Sequence, residues 1–173
     1  FSREGLGRIR GALSPASRRR SRAVRQFEAE FERYAGAVEA VVRFLQGRDP
    51  SLALRINSPG FLPQGPSFDV LAQYGEPAGG GDELAWAFGG LGVQDRAKYL
   101  ASLFLDDLAL VVRDGVDERF AFTRYGEKLA ASQPRFDPLL EALHSARPTL
   151  VDTLLDGIID ELIERHSPDL VGM

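Results

Sequence analysis

Few side chains in this sequence could do chemistry, and their number and spacing restrict what that chemistry would be. There are two histidines, His144 and His166, and no cysteine. Without a thiol the chain forms no disulfide, offers no thiolate nucleophile, and supplies no cysteine ligand to zinc or to an iron–sulfur cluster. A Ser-His-Asp triad would have to use one of the two histidines, and no nucleophile motif accompanies either. His166 stands in the last turn of an apolar-periodic stretch, where a cation complements the partial negative charge of a helix C-terminus. Gly79-Gly80-Gly81 is not a phosphate cradle, because no strand pattern precedes it and no Lys-Ser/Thr follows.

Two groups of carboxylates remain. Asp106-Asp107 interrupts the most apolar stretch of the chain. Adjacent helical residues point about 100° apart, so the two are poorly placed to share a proton as a dyad. The expected role is structural, with one of the pair near the edge of the core and an arginine as its partner. Asp152, Asp156, Asp160 and Glu164 recur every fourth residue and form a row opposite an apolar stripe. Neighbours in such a row repel by about 0.2–0.5 kcal/mol. The row is therefore solvated, or paired with the Arg-rich beginning of the chain, or joined to a divalent ion by ligands from a second element. On these readings no residue is assigned a catalytic, cofactor-binding or metal-binding role.

The elements that carry these groups are helical in pattern. Ser14-Pro15-Ala16-Ser17 is a turn and cap signal, after which Val24, Phe27, Phe31, Tyr34, Val38, Val41, Val42 and Leu45 trace one long helix up to Gly47. Asp49-Pro50 caps a short segment through Ile56, and a rigid loop with three prolines follows over 57–66. Ser67 to Tyr74 suits one or two helical turns, and Glu76 to Gly81 is expected to be the most flexible stretch. From Gln94 to Arg113, Ala97, Leu100, Ala101, Phe104, Leu108, Val111 and Val112 stay in register, which predicts the most buried helix. Short helices are expected over Arg119–Ala131 and Phe136–His144. Val151, Leu154, Leu155, Ile158, Ile159, Leu162 and Ile163 give a last helix, from about Thr149 to Glu164, an apolar face. Pro168 forbids its continuation, and Leu170-Val171 reads as the opening of a buried strand. A helix feeding such a strand is how an open parallel α/β sheet begins, and one strand alone makes no sheet. With Met173 as the only methionine, the chain is expected to be a piece of a longer polypeptide.

Composition sets the outer limits. The 173 residues, 44% hydrophobic and 27% charged, suit one or two ordinary globular domains. No apolar run approaches the ~18 residues of a membrane span and no signal-peptide pattern opens the chain, so a cytoplasmic protein without a membrane partner is expected. Residues 1–25 hold eight arginines against Glu4, a local charge of +7 in a chain of net −4. A basic start can mark nucleic-acid binding, yet no aromatic side chain is interleaved from Arg18 to Arg25 for stacking. An arm that is solvated or paired within the molecule fits better than a nucleic-acid partner.

Six stretches carry a family resemblance: FSREGL (1–6), LQGRDPSLALRI (45–56), FLPQGPSFD (61–69), QDRAKYLASLFLDDLA (94–109), RFAFTRYGEKLA (119–130) and ERHSPDLVGM (164–173). Together they resemble the region that precedes and enters the cobalamin-binding domain of cobalamin-dependent radical S-adenosylmethionine proteins. The resemblance implies a mainly α fold: a helical accessory domain with a basic N-terminal arm over 1–147, then over 148–173 a helix and the first strand of a Rossmann-like cobalamin domain. It implies a parent using cobalamin, S-adenosylmethionine and an iron–sulfur cluster for radical chemistry on an unactivated carbon, often methyl transfer. The partners would be the downstream cobalamin-binding and radical domains of the same polypeptide. Neither an Asp-x-His-x-x-Gly motif nor a Cys-x-x-x-Cys-x-x-Cys motif is present, so no cofactor residue carries over. The piece would be a non-catalytic scaffold. The alternative is a helical nucleic-acid-associated or protein-interaction module built on the Arg-rich arm.

Overall fold

Serine opens each of the first three helices, because a side-chain oxygen on extended backbone can take one of the N–H groups that a helix start leaves unpaired. Ser2, Ser14 and Ser21 accept from the N–H of Gly5, Ser17 and Val24, starting α1 (Arg3–Ala12), α2 (Pro15–Arg20) and α3 (Arg22–Ala29). Helices α4 (Phe31–Leu45), α5 (Leu52–Ile56), a 3-10 turn (Pro66–Phe68), α6 (Asp69–Gln73), α7 (Val93–Gly115) and α8 (Leu150–His166) follow. The computed structural model describes residues 1–73, 92–118, 120, 122, 140, 144 and 148–168. The protein is mainly helical, with no strand among the described residues. None of the described helices is long and apolar enough to cross a membrane. The chain falls into two compact units, Phe1–Phe122 and Thr123–Met173.

In the first unit α7 is the axis. Ten of its residues are buried, including Leu100, Phe104, Leu108 and Val111. Helix α3 packs along it, and α5 and the 3-10 turn cross its other parts. The Tyr34 ring stacks on Phe104 with centroids 5.5 Å apart and meets Phe27 edge-on at 5.3 Å, so three helices share one aromatic cluster.

The stripe from Val24 to Leu45 predicts one long helix, and the structure corrects this to two. Glu30, at φ −115° and ψ 23°, ends α3 and starts α4. A straight helix would present its stripe to one partner, whereas the break lets α3 lie on α7 while α4 reaches α1, α5 and α7. Arg33 pairs with Glu30 across the break. Gly47, at φ +70°, turns the chain out of α4 in a conformation that glycine adopts without a Cβ penalty.

The Arg-rich start is built into this unit. Leu6, Ile9 and Leu13 are buried, and α1 lies against α4. Its arginines engage carboxylates of the same unit: Arg3 with Glu32, Arg18 with Glu28 and Arg22 with Asp69. Arg10 lies over the Phe31 ring at 4.4 Å.

In the second unit α8 starts on a capping box, in which Thr149 and Asp152 each accept the other's backbone N–H. It ends at Ser167, in the left-handed region at φ +40°, immediately before Pro168. Leu155, Ile158, Ile159, Leu162 and Ile163 are 44–53% exposed. The expected strand at Leu170-Val171 and the flexible stretch Glu76–Gly81 lie outside the described residues. So do most of Arg119–Ala131 and Phe136–His144, in which Leu140 and His144 are helical.

Candidate functional site

The strongest polar constellation in the first unit is centred on Asp107. Helix α7 turns this carboxylate inward from an otherwise apolar face until none of it is exposed. A buried carboxylate must be met by donors, and here they are backbone groups: the Gly65 N–H at 2.7 Å and the Ser67 N–H at 2.8 Å, one to each oxygen. The loop supplying them is pre-shaped by Pro63 and Pro66. It is held from the other side by Arg33, whose guanidinium donates to the Gly60 and Leu62 carbonyls, and by Gln26, which donates to that of Gln64.

Only glycine fits at position 65. A Cβ there would stand 2.6 Å from Cγ and 2.8 Å from Oδ1 of Asp107, and closer still to Oδ2. Burial pushes the Asp107 carboxyl above the ordinary carboxylate value against the pull of the Ser67 and Gly65 hydrogen bonds, and neighbouring Asp106 pushes the same way. Tyr34 is raised in turn, mainly by burial and then by the charges of Asp107 and Glu30.

Of the two carboxylates, Asp107 is the one the core takes in, and it is met by loop donors, while half-buried Asp106 stands at the edge. Asp107 sits within the core, where the Gly65 and Ser67 N–H groups donate to it and the Ser67 side chain adds to their pull. The loop backbone comes this close because residue 65 has no side chain. Asp106, the preceding residue, is half-buried, and adjacent helical residues diverge by about 100°, which does not suit a proton-sharing dyad.

No family model, curated protein or solved structure matches this chain. What the other polar groups can do therefore rests on their own geometry. An open cleft of about 520 Å³ is lined by Ser14, Ala16, Ser17, Ser21, Arg113, Asp114 and Glu118. Its three hydroxyls are engaged: Ser14 and Ser17 with each other's cap groups, and Ser21 as donor to Asp114 at 2.8 Å. No histidine is among the described residues that line the cleft to activate one as a nucleophile.

His144 and His166 are exposed, the latter in the last turn of α8 as its position predicts. Asp152, Asp156, Asp160 and Glu164 are exposed along α8, with Asp152 bound into the capping box, which holds its carboxyl below the ordinary value. Among the described residues no three His, Cys, Asp or Glu side chains converge as metal ligands. The chain has no cysteine to ligate an iron–sulfur cluster. Gly79-Gly80-Gly81 lies outside the described residues.

Sequence reasoning missed the role of Gly65 and Ser67. The available signal was a proline-flanked glycine some forty residues from an aspartate within an apolar run.

Proposed function

We propose that this chain is a non-catalytic helical scaffold, the region that precedes and enters the cobalamin-binding domain of a cobalamin-dependent radical S-adenosylmethionine protein. The observation that carries the reading is the meeting of two stretches of the resemblance. FLPQGPSFD supplies the Gly65 and Ser67 N–H groups, and LFLDDLA supplies the buried Asp107 that accepts both. Residues so engaged hold a fold together, which supports a positioning role for the resembling segments. On this reading Leu170-Val171 opens the first strand of a Rossmann-like domain, and the cofactor ligands belong to sequence beyond Met173. The parent, a cytoplasmic enzyme, binds cobalamin, S-adenosylmethionine and an iron–sulfur cluster there and carries out radical chemistry on an unactivated carbon, methyl transfer being the favoured class. Its partners are the downstream domains of the same polypeptide. The engagement of Arg3, Arg18 and Arg22 with carboxylates of their own unit weighs against nucleic acid as the partner.

Spectroscopic titration with cobalamin tests this. A polypeptide continued through the next domain is expected to bind, with its crevice beyond the carboxyl ends of the new strands. The 173-residue chain is expected not to bind. Tight binding by the 173 residues alone, or none by the longer polypeptide, overturns the proposal.

A further inference from the structure

We propose that α8 is a docking surface for a basic amphipathic helix, an occupant with an apolar stripe flanked by lysine or arginine. The proposal is independent of the cobalamin reading. Leu155, Ile158, Ile159, Leu162 and Ile163 form a continuous stripe, each about half exposed. The helix is closed at both ends, by the Thr149–Asp152 box and by Ser167 with Pro168, so this stripe is a defined surface about two and a half turns long.

Charge along the stripe's edges selects the occupant. Residues three apart on a helix are neighbours, so Asp152 stands beside Leu155, Asp156 beside Ile159 and Asp160 beside Ile163. The row Asp152, Asp156, Asp160 and Glu164 therefore runs along one border of the stripe, nearer to it than the opposite face that the sequence spacing suggests. Glu161, beside Ile158, marks the other border and holds Arg165. The four carboxylates of the row have no ion pair among the described residues.

A second copy is a poor occupant. Stripe to stripe and antiparallel, two copies set row against row, and in parallel they set the row against the border holding Glu161. Like charges face each other in the antiparallel arrangement, and in the parallel one the row meets the Glu161–Arg165 pair, which has no net charge, whereas a border that is cationic throughout is attracted in both.

The test uses the whole chain and two synthetic peptides of about 18 residues, long enough to cover α8. Both have leucine at helical spacing, flanked by lysine in one and by glutamate in the other. Anisotropy titration is expected to give a one-to-one complex with the lysine peptide, weakened at least about tenfold between 0.05 and 0.5 M salt as screening shortens the reach of the charges. The glutamate peptide is expected not to bind. The double variant Ile158→Ser, Leu162→Ser should lose binding. Since that pair could also loosen α8, Asp156→Lys with Asp160→Lys supplies an independent reading: it keeps the stripe and should shift preference toward the glutamate peptide. Equal binding of both peptides, lysine-peptide binding untouched by either variant, or a discrete dimer of the chain alone that Ile158→Ser, Leu162→Ser dissolves would each overturn the proposal.

Discussion

Asp107 shows how one side chain can decide a local structure. Its two oxygens take the Gly65 and Ser67 N–H groups, and Gly65 allows the approach. In Asp107→Asn one acceptor becomes an NH2 facing a peptide N–H, so a loss of about 1–3 kcal/mol is expected in denaturant unfolding. Gly65→Ala should cost a similar ~1–3 kcal/mol by overpacking, and the double variant less than the two singles together, since both break one contact. The pH dependence follows from the raised Asp107 value. Above the ordinary 3.8 and up to the raised value, the native state keeps a proton that the unfolded chain has released. The stability advantage of the native protein over Asp107→Asn should therefore shrink as pH rises through that window, and an advantage that grows there would contradict the assignment. Phe104, with no exposed surface, sits beneath the Tyr34 ring. Phe104→Ala is expected to cost about 3–5 kcal/mol, and a loss under about 1 kcal/mol would be incompatible with a ring so enclosed.

Helices are set by their ends as much as by their stripes. On α8, Thr149→Ala removes one half of the capping box and should cost about 1 kcal/mol. Amide exchange at 150–153 should quicken while that of α7 stays unchanged, because the two lie in different units. For α1 the question is whether charge or apolar contact holds it. Exposed ion pairs such as Arg3–Glu32 contribute about 0–1 kcal/mol and weaken with salt, whereas Leu6 is wholly buried. Leu6→Ala should therefore release the first helix to proteolysis far more than 0.5 M salt does, given that removing a buried leucine side chain costs about 2–5 kcal/mol. If salt has the greater effect, the arginines hold that end. The stripe of Val24–Leu45 was readable as helix, but the break at Glu30 was not, since periodicity reports which side is apolar and says nothing about how many neighbours must be reached.

On the scale of the whole molecule, the compact units Phe1–Phe122 and Thr123–Met173 predict that residues 1–122 fold without the rest. That fragment should unfold cooperatively near the midpoint of the α7-centred transition of the full chain. A disordered fragment would show that the units are not independent.

The helical class, the core positions Leu100, Phe104, Leu108 and Val111, the cap at Ser14 and the loop expected over 57–66, of which only Pro66 falls in the 3-10 turn, were all legible in the sequence, because each depends on side-chain spacing or on residues that constrain their own backbone. The partner of Asp107, the break at Glu30 and the carboxylates met by Arg3, Arg18 and Arg22 were decided only by tertiary structure. Each joins residues, or satisfies a helix face, through neighbours that are remote in the chain. Local periodicity can show that a carboxylate enters a core, but only the folded backbone determines which N–H groups receive it.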